Sequence, residues 1–181
     1  MIIIKNKIIL KLLDNEILLY KNKKIYKIKT EQYIKNNYIL NYKILLNTLK
    51  KVITKYKLSN IFIQNKLLIL INKLYCETNY LVLKIIMNEL GFSNYKLIYE
   101  EDLYKNMYPS ILSLWNDKGI YLNNDVEKYI DINNKNDIKK ISTNTLLITS
   151  NKDILNILNK DLILYENDTN PIFDMINDID D

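Results

Sequence analysis

The sequence predicts an α/β fold in which helices cover a mixed sheet, and three observations support this. The first 28 residues alternate between β-rich segments and short polar turns, which indicates an antiparallel meander of three strands. Helical and strand-length segments then alternate along the chain. Among them, the apolar run Leu67-Leu-Ile-Leu-Ile71 is typical of a central strand covered on both faces. Together these features imply a sheet with both antiparallel and parallel strands.

The N-terminal half is predicted to have the order β-β-β-α-β-α-β-α. Its meander comprises residues 2–13, 16–20 and 24–28, with Asp14-Asn15 as the first turn. Glu101–Met107 is a short helix, and Pro109 ends it. Two longer helices are predicted from apolar side chains at helical spacing, the second beginning at a Thr78 cap and ending at Gly91. These side chains are Leu45, Leu49, Val52, Ile53 and Tyr56 for the first helix, and Leu81, Val82, Ile85, Ile86 and Leu90 for the second.

The pattern restarts in reduced form after Pro109, so we expect a first domain at residues 1–109 and a reduced second half at 110–181. Asn116–Gly119 forms a hairpin turn, and the polar stretch 123–140 is predicted as a short helix with a loop. The remaining predictions are a strand at 145–149, a helix at 151–159 capped by Ser150, a strand at 162–165, a helix opened by Asn170-Pro171 and an acidic C-terminal tail.

Composition excludes several kinds of catalytic site. The 181 residues include no His, one Cys and two Gly. Without His there is no His-based triad, His general base or His metal ligand, and one Cys cannot build a Cys-rich zinc site. Two glycines cannot form a glycine-rich phosphate loop. No catalytic motif in the sequence therefore names a function.

Charge is unevenly distributed along the chain. Residues 1–110 contain 19 Lys and 8 acidic residues, a net +11, whereas residues 111–181 contain 7 Lys and 13 acidic residues, a net −6. The Lys-rich half can attract nucleic acid, an acidic protein or an anionic membrane surface. No apolar run is long enough to span a membrane, and a single Cys is typical of a reducing compartment, so we expect a cytoplasmic protein.

An ordered series of weak motifs runs along the chain at 36–42, 67–78, 88–92 and 96–101 in the first half, and at 136–140 and 144–151 in the second. In their order these segments resemble actin, the actin-related proteins and bacterial MreB, although no single motif is specific. The resemblance implies the ribonuclease-H-like (actin-like) fold. Actins are considerably longer, so the resemblance describes a divergent, shortened relative.

The resemblance also implies where a nucleotide site would lie. In this family ATP binds between two halves, each of which supplies an Asp and glycines. Asp14-Asn15 matches the family's "D-N-G" turn, but Glu16 stands where glycine is expected. Glu100 aligns with the residue that positions the attacking water, and Ser150-Asn151 replaces the paired glycines of the adenosine site. No second D-x-G turn is expected. The resemblance therefore implies a degenerate site at Asp14, Asn15, Glu100, Ser150 and Asn151, with ATP binding lost, and we predict no catalytic residue, no metal and no cofactor.

Three functions remain open from the sequence. The first is a non-catalytic scaffold or interaction subunit that docks onto actin-like subunits or a larger complex. The second is a nucleic-acid-associated protein that uses the Lys-rich half, either as a binder or as a ribonuclease-H-like nuclease with carboxylates Asp14, Glu77, Glu100 and Asp102. The third is an inactive subunit of an organellar or viral machine.

Overall fold

A computed structural model describes residues 6–13, 15–22, 24–35, 38–58, 65–73, 77–115, 117–124, 126–149, 154–158 and 162–164. These residues divide into two compact units. Unit 1 contains the described residues of 1–71 and 75–98, and unit 2 contains those of 72–74 and 99–169. One five-stranded sheet forms the centre of each unit.

Unit 1 is built from a meander, a small hairpin and two helix–strand pairs. Its elements are β1 (Asn6–Leu12), β2 (Glu16–Lys21), β3 (Lys24–Lys29), β4 (Ile34–Lys35), β5 (Tyr38–Ile39), α1 (Tyr42–Lys55), β6 (Asn65–Ile71), α2 (Glu77–Glu89) and β7 (Tyr95–Tyr99).

The sheet of unit 1 has the order β3-β2-β1-β6-β7. β2 pairs antiparallel with both β1 and β3, whereas β1 and β6 are parallel. Leu67–Ile71 is buried throughout, as expected for a central strand covered on both faces. The predicted meander, the mixed sheet and the central strand are confirmed.

Local chemistry explains where the long helices of unit 1 begin and end. The Asn41 side chain accepts a hydrogen bond of 3.1 Å from the Ile44 N–H and so caps α1. Leu45, Leu49 and Val52 of α1 are buried, as the apolar spacing predicts. After α2, Gly91 has φ +65°, the left-handed conformation that ends a helix readily when the residue lacks a Cβ.

Unit 2 repeats the same arrangement in a shorter stretch of chain. Its elements are α3 (Glu100–Tyr104), β8 (Ser110–Trp115), β9 (Lys118–Asn123), β10 (Val126–Asp131), α4 (Lys135–Lys140), β11 (Thr145–Thr149), α5 (Ile154–Leu158) and β12 (Leu162–Leu164).

The sheet of unit 2 has the order β10-β9-β8-β11-β12. β9 pairs antiparallel with β8 and β10, and β11 runs parallel to β8 and β12. Counted along its own strands, each sheet therefore has the order third, second, first, fourth, fifth. The core of unit 2 consists of Leu112, Leu114, Tyr121, Ile130, Ile132, Ile141, Leu147, Ile154 and Leu158.

The predicted core face of α2 was right in part. Ile86 is buried and Val82 and Leu90 are half-buried, but Leu81 and Ile85 are each 52% exposed. The buried residues of the helix are Asn79, Leu83, Ile86 and Met87. The buried Asn79 accepts a hydrogen bond of 2.9 Å from the Ile39 N–H, which joins α2 to β5. Thr78 lies within α2 and not at its cap position, so that cap prediction was wrong.

The polar stretch 123–140 contains strand β10 as well as the predicted short helix, α4. β10 is an edge strand, and its residues Val126–Tyr129 are exposed. An edge strand with so little buried surface has no alternation of apolar and polar residues, so the sequence pattern did not reveal it. The helix predicted to open at Asn170-Pro171 lies outside the described residues.

Candidate functional site

The predicted first phosphate turn joins β1 to β2 in unit 1. The Leu13 N–H donates to the Glu16 carbonyl at 2.9 Å and closes the hairpin. The Thr30 N–H donates to the Asn15 carbonyl at 2.9 Å, and the hydroxyl of the buried Tyr33 donates to the Glu16 carbonyl at 3.0 Å. The turn is therefore held by contacts within unit 1.

Glu16 occupies the place at which the resemblance expects glycine. It opens β2 and lies opposite Lys29 of β3 in the strand register. Its φ is not in the left-handed region, which among the described non-glycine residues only Asn22, Lys57, Asn124 and Asn144 adopt. The backbone at position 16 thus accommodates a side chain without strain, and the turn carries a carboxylate.

The other described residue of the predicted site, Glu100, lies in unit 2, where β7 meets α3. It is the first residue of α3 and is only 3% exposed. The next residue, Glu101, is fully buried, and both of its carboxylate oxygens lie 3.0 Å from the Lys73 backbone nitrogen. The Ser113 hydroxyl also hydrogen-bonds to this carboxylate. Glu101 therefore ties the segment after β6 and strand β8 to the start of α3.

Burial changes the protonation of Glu101. Removal from water raises its pKa from 4.5 to about 7, and the nearby charge of Glu100 acts in the same direction. The hydrogen bonds from Ser113 and from the Lys73 N–H oppose this shift. Glu101 has no exposed surface, so its carboxylate makes contacts within unit 2 and is not open to a ligand.

An ion network surrounds the same junction. The Lys73 ammonium lies 3.3 Å from Asp102 and 3.2 Å from Glu127, and its distance to the centre of the Tyr99 ring is 5.5 Å. Burial alone would lower the pKa of Lys73, but hydrogen bonding and attraction from Glu127 and Asp102 outweigh it, so its pKa is raised. Lys73 is therefore a cation whose charge is already neutralised within unit 2.

The turn between β8 and β9 contains a motif that the sequence was expected to lack. Asp117-Lys118-Gly119 is a D-x-G sequence at the same topological position as the β1–β2 turn, so the expectation of no second D-x-G turn was wrong, and the segment was predicted only as a hairpin turn. The order Asp, any residue, Gly was the signal in the sequence that could have identified this second turn. The Asp117 carboxylate accepts a hydrogen bond of 3.0 Å from the Asn133 side chain, and its carbonyl accepts one of 2.8 Å from the Ile132 N–H.

Gly119 is needed within the hairpin itself. A Cβ at this position would lie 2.3 Å from the Ser113 carbonyl oxygen and 2.4 Å from a Leu114 methyl carbon. Atoms of β8 thus occupy the space beside Gly119, and this space is not open to a ligand.

The predicted site is only partly described. Asn15 is exposed in unit 1 and Glu100 is buried in unit 2, whereas Asp14, Ser150 and Asn151 lie outside the described residues. In the part of the chain that the structure describes, no group of three or more His, Cys, Asp or Glu side chains could hold a metal ion. No helix within those same ranges is long and apolar enough to cross a membrane.

No protein-family model and no curated protein sequence matches this chain. Solved structures do match it. MreB5 of Spiroplasma citri bound to ADP has a TM-score of 0.55 and 13% identity, with 71% of this chain and 52% of that chain covered. The complex of MreB5 with AMPPNP gives a TM-score of 0.53 and 13% identity over 71% and 53% of the two chains.

A further match is the ethanolamine utilization protein EutJ from Carboxydothermus hydrogenoformans. Its TM-score is 0.56 and its identity 7%, with 87% of this chain and 84% of that chain covered. This chain thus spans about half the length of the MreB5 chains but most of EutJ. These similarities show that the chain has the actin-like ATPase fold, as the resemblance predicted.

Proposed function

We propose that this chain is a non-catalytic actin-like subunit that has lost ATP binding and acts by binding a protein partner. Fold neighbours that bind nucleotide include MreB5, whose structures contain ADP or AMPPNP. The observation that carries the proposal is the β1–β2 turn, where Glu16 stands in place of glycine and its carbonyl already accepts hydrogen bonds from the Leu13 N–H and the Tyr33 hydroxyl.

A carboxylate in a phosphate turn opposes binding in two ways. A side chain prevents the backbone N–H groups from approaching the phosphate closely, and its charge repels the anion. At about 4 Å, two unit charges repel by roughly 1 kcal/mol in water and about 4 kcal/mol near a protein surface. Because each 1.4 kcal/mol is about tenfold in affinity, this repulsion weakens phosphate binding roughly five- to a thousandfold.

Neither glycine of the chain offers a replacement. Gly91 ends α2, and Gly119 is packed against the backbone of β8. Because the chain has only these two glycines, neither the β1–β2 turn nor the β8–β9 turn has a glycine that is open to a ligand. The actin-like fold is retained, and this favours a function that depends on its surface.

Calorimetric titration with Mg-ADP and Mg-AMPPNP tests the loss of nucleotide binding. We expect no saturable heat with the natural chain. Glu16→Gly should raise the affinity for ADP because it removes both the side chain and the charge, whereas Glu31→Gly, which alters another acidic residue of unit 1, should not. Saturable binding by the natural chain with a Kd below about 1 mM would contradict the proposal.

Purification from the source cells tests the binding role. We expect a stoichiometric protein complex that survives both nuclease treatment and high salt. Recovery that depends on intact nucleic acid and is lost as salt increases would instead support the nucleic-acid-associated alternative, since phosphate contacts weaken steeply with salt.

A further inference from the structure

A groove of about 360 Å³ lies within unit 1, between the end of β3 and helix α1. One wall consists of Ile28 and Lys29 at the end of β3 and of Thr30 and Glu31, which follow it, and the helix wall begins at Ile44 and ends at Tyr56. Ile28, Ile44 and Tyr56 are half-buried and contribute apolar surface to the groove. The residues contributed by the helix wall are Ile44, Asn47, Thr48, Lys51, Val52, Lys55 and Tyr56.

The two walls are held at a fixed separation. The Thr30 and Thr48 hydroxyls are hydrogen-bonded at 3.0 Å, and the Tyr26 and Tyr56 rings are in contact with a centroid distance of 4.9 Å. Further along α1, the Lys21 ammonium donates to the Tyr56 carbonyl at 2.6 Å. The groove is therefore preorganised, which reduces the entropy lost when a ligand binds.

One wall of the groove includes the end of a strand that lies at the edge of the sheet. β3 is the terminal strand in the order β3-β2-β1-β6-β7 and pairs along its inner side with β2. The outer side of an edge strand presents backbone N–H and C=O groups that can pair with an added strand. An edge strand beside a helix is a geometry that proteins use to bind extended peptides by strand addition.

The charge of the groove selects the kind of segment that can bind. Lys29, Lys51 and Lys55 line it with a single acidic residue, Glu31. All three lysines are exposed, and within the described ranges neither Lys29 nor Lys51 forms an ion pair. The only other carboxylate placed beside these lysines by the strand register is Glu16, opposite Lys29. A net positive lining remains.

The lysines of β3 also argue against self-association. The strand reads Lys24-Ile-Tyr-Lys-Ile-Lys29, so pairing with β3 of another copy would bring like charges together. Lysines on an edge strand commonly prevent such pairing. The same lysines favour a strand that carries Asp or Glu, since opposite charges on paired strands are stabilising.

We propose that the groove between β3 and α1 binds an extended, acidic segment of a protein partner, which adds to β3 as a sixth strand of the sheet. The partner's acidic side chains would lie against Lys29, Lys51 and Lys55, and its backbone would pair with the outer edge of β3. This inference rests on the proposed protein-binding function and names the surface and partner chemistry that it uses.

Fluorescence anisotropy with a defined peptide tests this site. The probe is a labelled six-residue peptide, the length of β3, in which Asp alternates with Val. A matched peptide carries Lys in place of Asp, and a labelled single-stranded DNA provides a polyanion without strand-forming backbone. We expect saturable binding of the acidic peptide, none of the basic peptide, and slower hydrogen exchange at the amides of β3 when the acidic peptide is bound.

Charge-reversal variants locate the site. Lys29→Glu combined with Lys51→Glu should weaken binding of the acidic peptide at least about tenfold, because two attractive charge pairs become repulsive. Lys84→Glu combined with Lys96→Glu changes the same charge at exposed positions of unit 1 away from the groove and should have little effect. Circular dichroism checks that both double variants fold.

Three outcomes would overturn the inference. They are no saturable peptide binding, an equal effect of the two double variants, and DNA binding with the same lysine dependence but no protection of β3. The last would identify a general polyanion site. The peptide test does not depend on nucleotide, so the two proposals can fail separately. If the chain binds neither ADP nor the peptide, the proposed loss of ATP binding stands and only the groove site is refuted. If the chain binds ADP, only the proposed function is contradicted.

Discussion

Glu101 is expected to make unit 2 less stable as the pH rises through neutrality. Its carboxyl is fully buried, with a pKa of about 7 in the folded chain against 4.5 for an unperturbed Glu. Between these two values the folded state binds the proton more tightly than the unfolded state. The contribution of protonated Glu101 to the free energy of unfolding is therefore fully present below about pH 4.5 and is lost as pH rises through 7.

The size of the effect follows from the shift. A difference of about 2.5 units, from 4.5 to about 7, corresponds to about 3 kcal/mol at 1.36 kcal/mol per unit. Such a change is a large part of the free energy of unfolding of a small domain. Glu101→Gln removes the ionisation but keeps an oxygen that can accept the hydrogen bond from the Lys73 N–H.

Urea unfolding at several pH values measures this difference. Trp115, the only tryptophan, belongs to β8 and so reports on unit 2. The natural chain should lose about 3 kcal/mol relative to Glu101→Gln between pH 4.5 and 8. Groups that titrate in both proteins cancel in this comparison, and Glu31→Gln is the control for an exposed acid. Parallel pH profiles for the natural chain and Glu101→Gln would refute the reasoning.

Two further predictions concern packing, and both are checked by urea unfolding. Leu83→Ala should cost about 2–5 kcal/mol because Leu83 is fully buried on α2, whereas Leu81→Ala should cost well under 1 kcal/mol; equal losses would contradict the corrected core face. Gly119→Ala should destabilise unit 2 by more than about 1–3 kcal/mol because its Cβ would meet the backbone oxygen of Ser113. Gly91→Ala meets no neighbouring atom and should cost only about 1–2 kcal/mol, for its positive φ. A smaller loss at Gly119 than at Gly91 would show that the hairpin relaxes to admit the side chain.

The order of elements in unit 1 could be predicted, apart from the short hairpin of β4 and β5, because its strongest signals depend on burial. The run Leu67–Ile71 is apolar at every position, and α1 carries one apolar stripe opposite a row of lysines. Such patterns can be read from the sequence because they depend directly on which faces of a helix or strand are buried on folding. The same reasoning predicted β11 at its observed bounds, Thr145–Thr149.

The face of α2 could be predicted only in part because its sequence is apolar on several sides. Leu81, Val82, Leu83, Ile85, Ile86 and Met87 leave more than one possible stripe. The choice depends on Asn79, a polar residue that is buried because it satisfies the backbone of β5. Hydrophobic periodicity assigns such a residue to the surface, since it contains no information about a partner that is 40 residues distant in sequence.

In the candidate site, too, the sequence identified residues that are unusual by type but not residues whose importance depends on their surroundings in the fold. The sequence marked Glu100 and Glu16 as candidate residues because both stand at motif positions, and their place in a nucleotide site stays a prediction. It did not predict Glu101, whose importance comes from burial against the Lys73 backbone and Ser113. It also passed over Asp117-Lys118-Gly119, whose position in the second sheet becomes evident only when β10 completes the order of strands.

The two hairpin turns explain why the fold and its nucleotide chemistry can separate. A turn between the first and second strands needs only a closing hydrogen bond and a backbone conformation that its residues tolerate, and the pair Leu13–Glu16 meets both needs without glycine. Phosphate binding needs more, namely backbone N–H groups left open to the ligand. In the second hairpin the one available glycine, Gly119, is used to bring β9 against β8. Substitutions in such turns can therefore remove a phosphate site, as we propose for this chain, at little cost to the sheet.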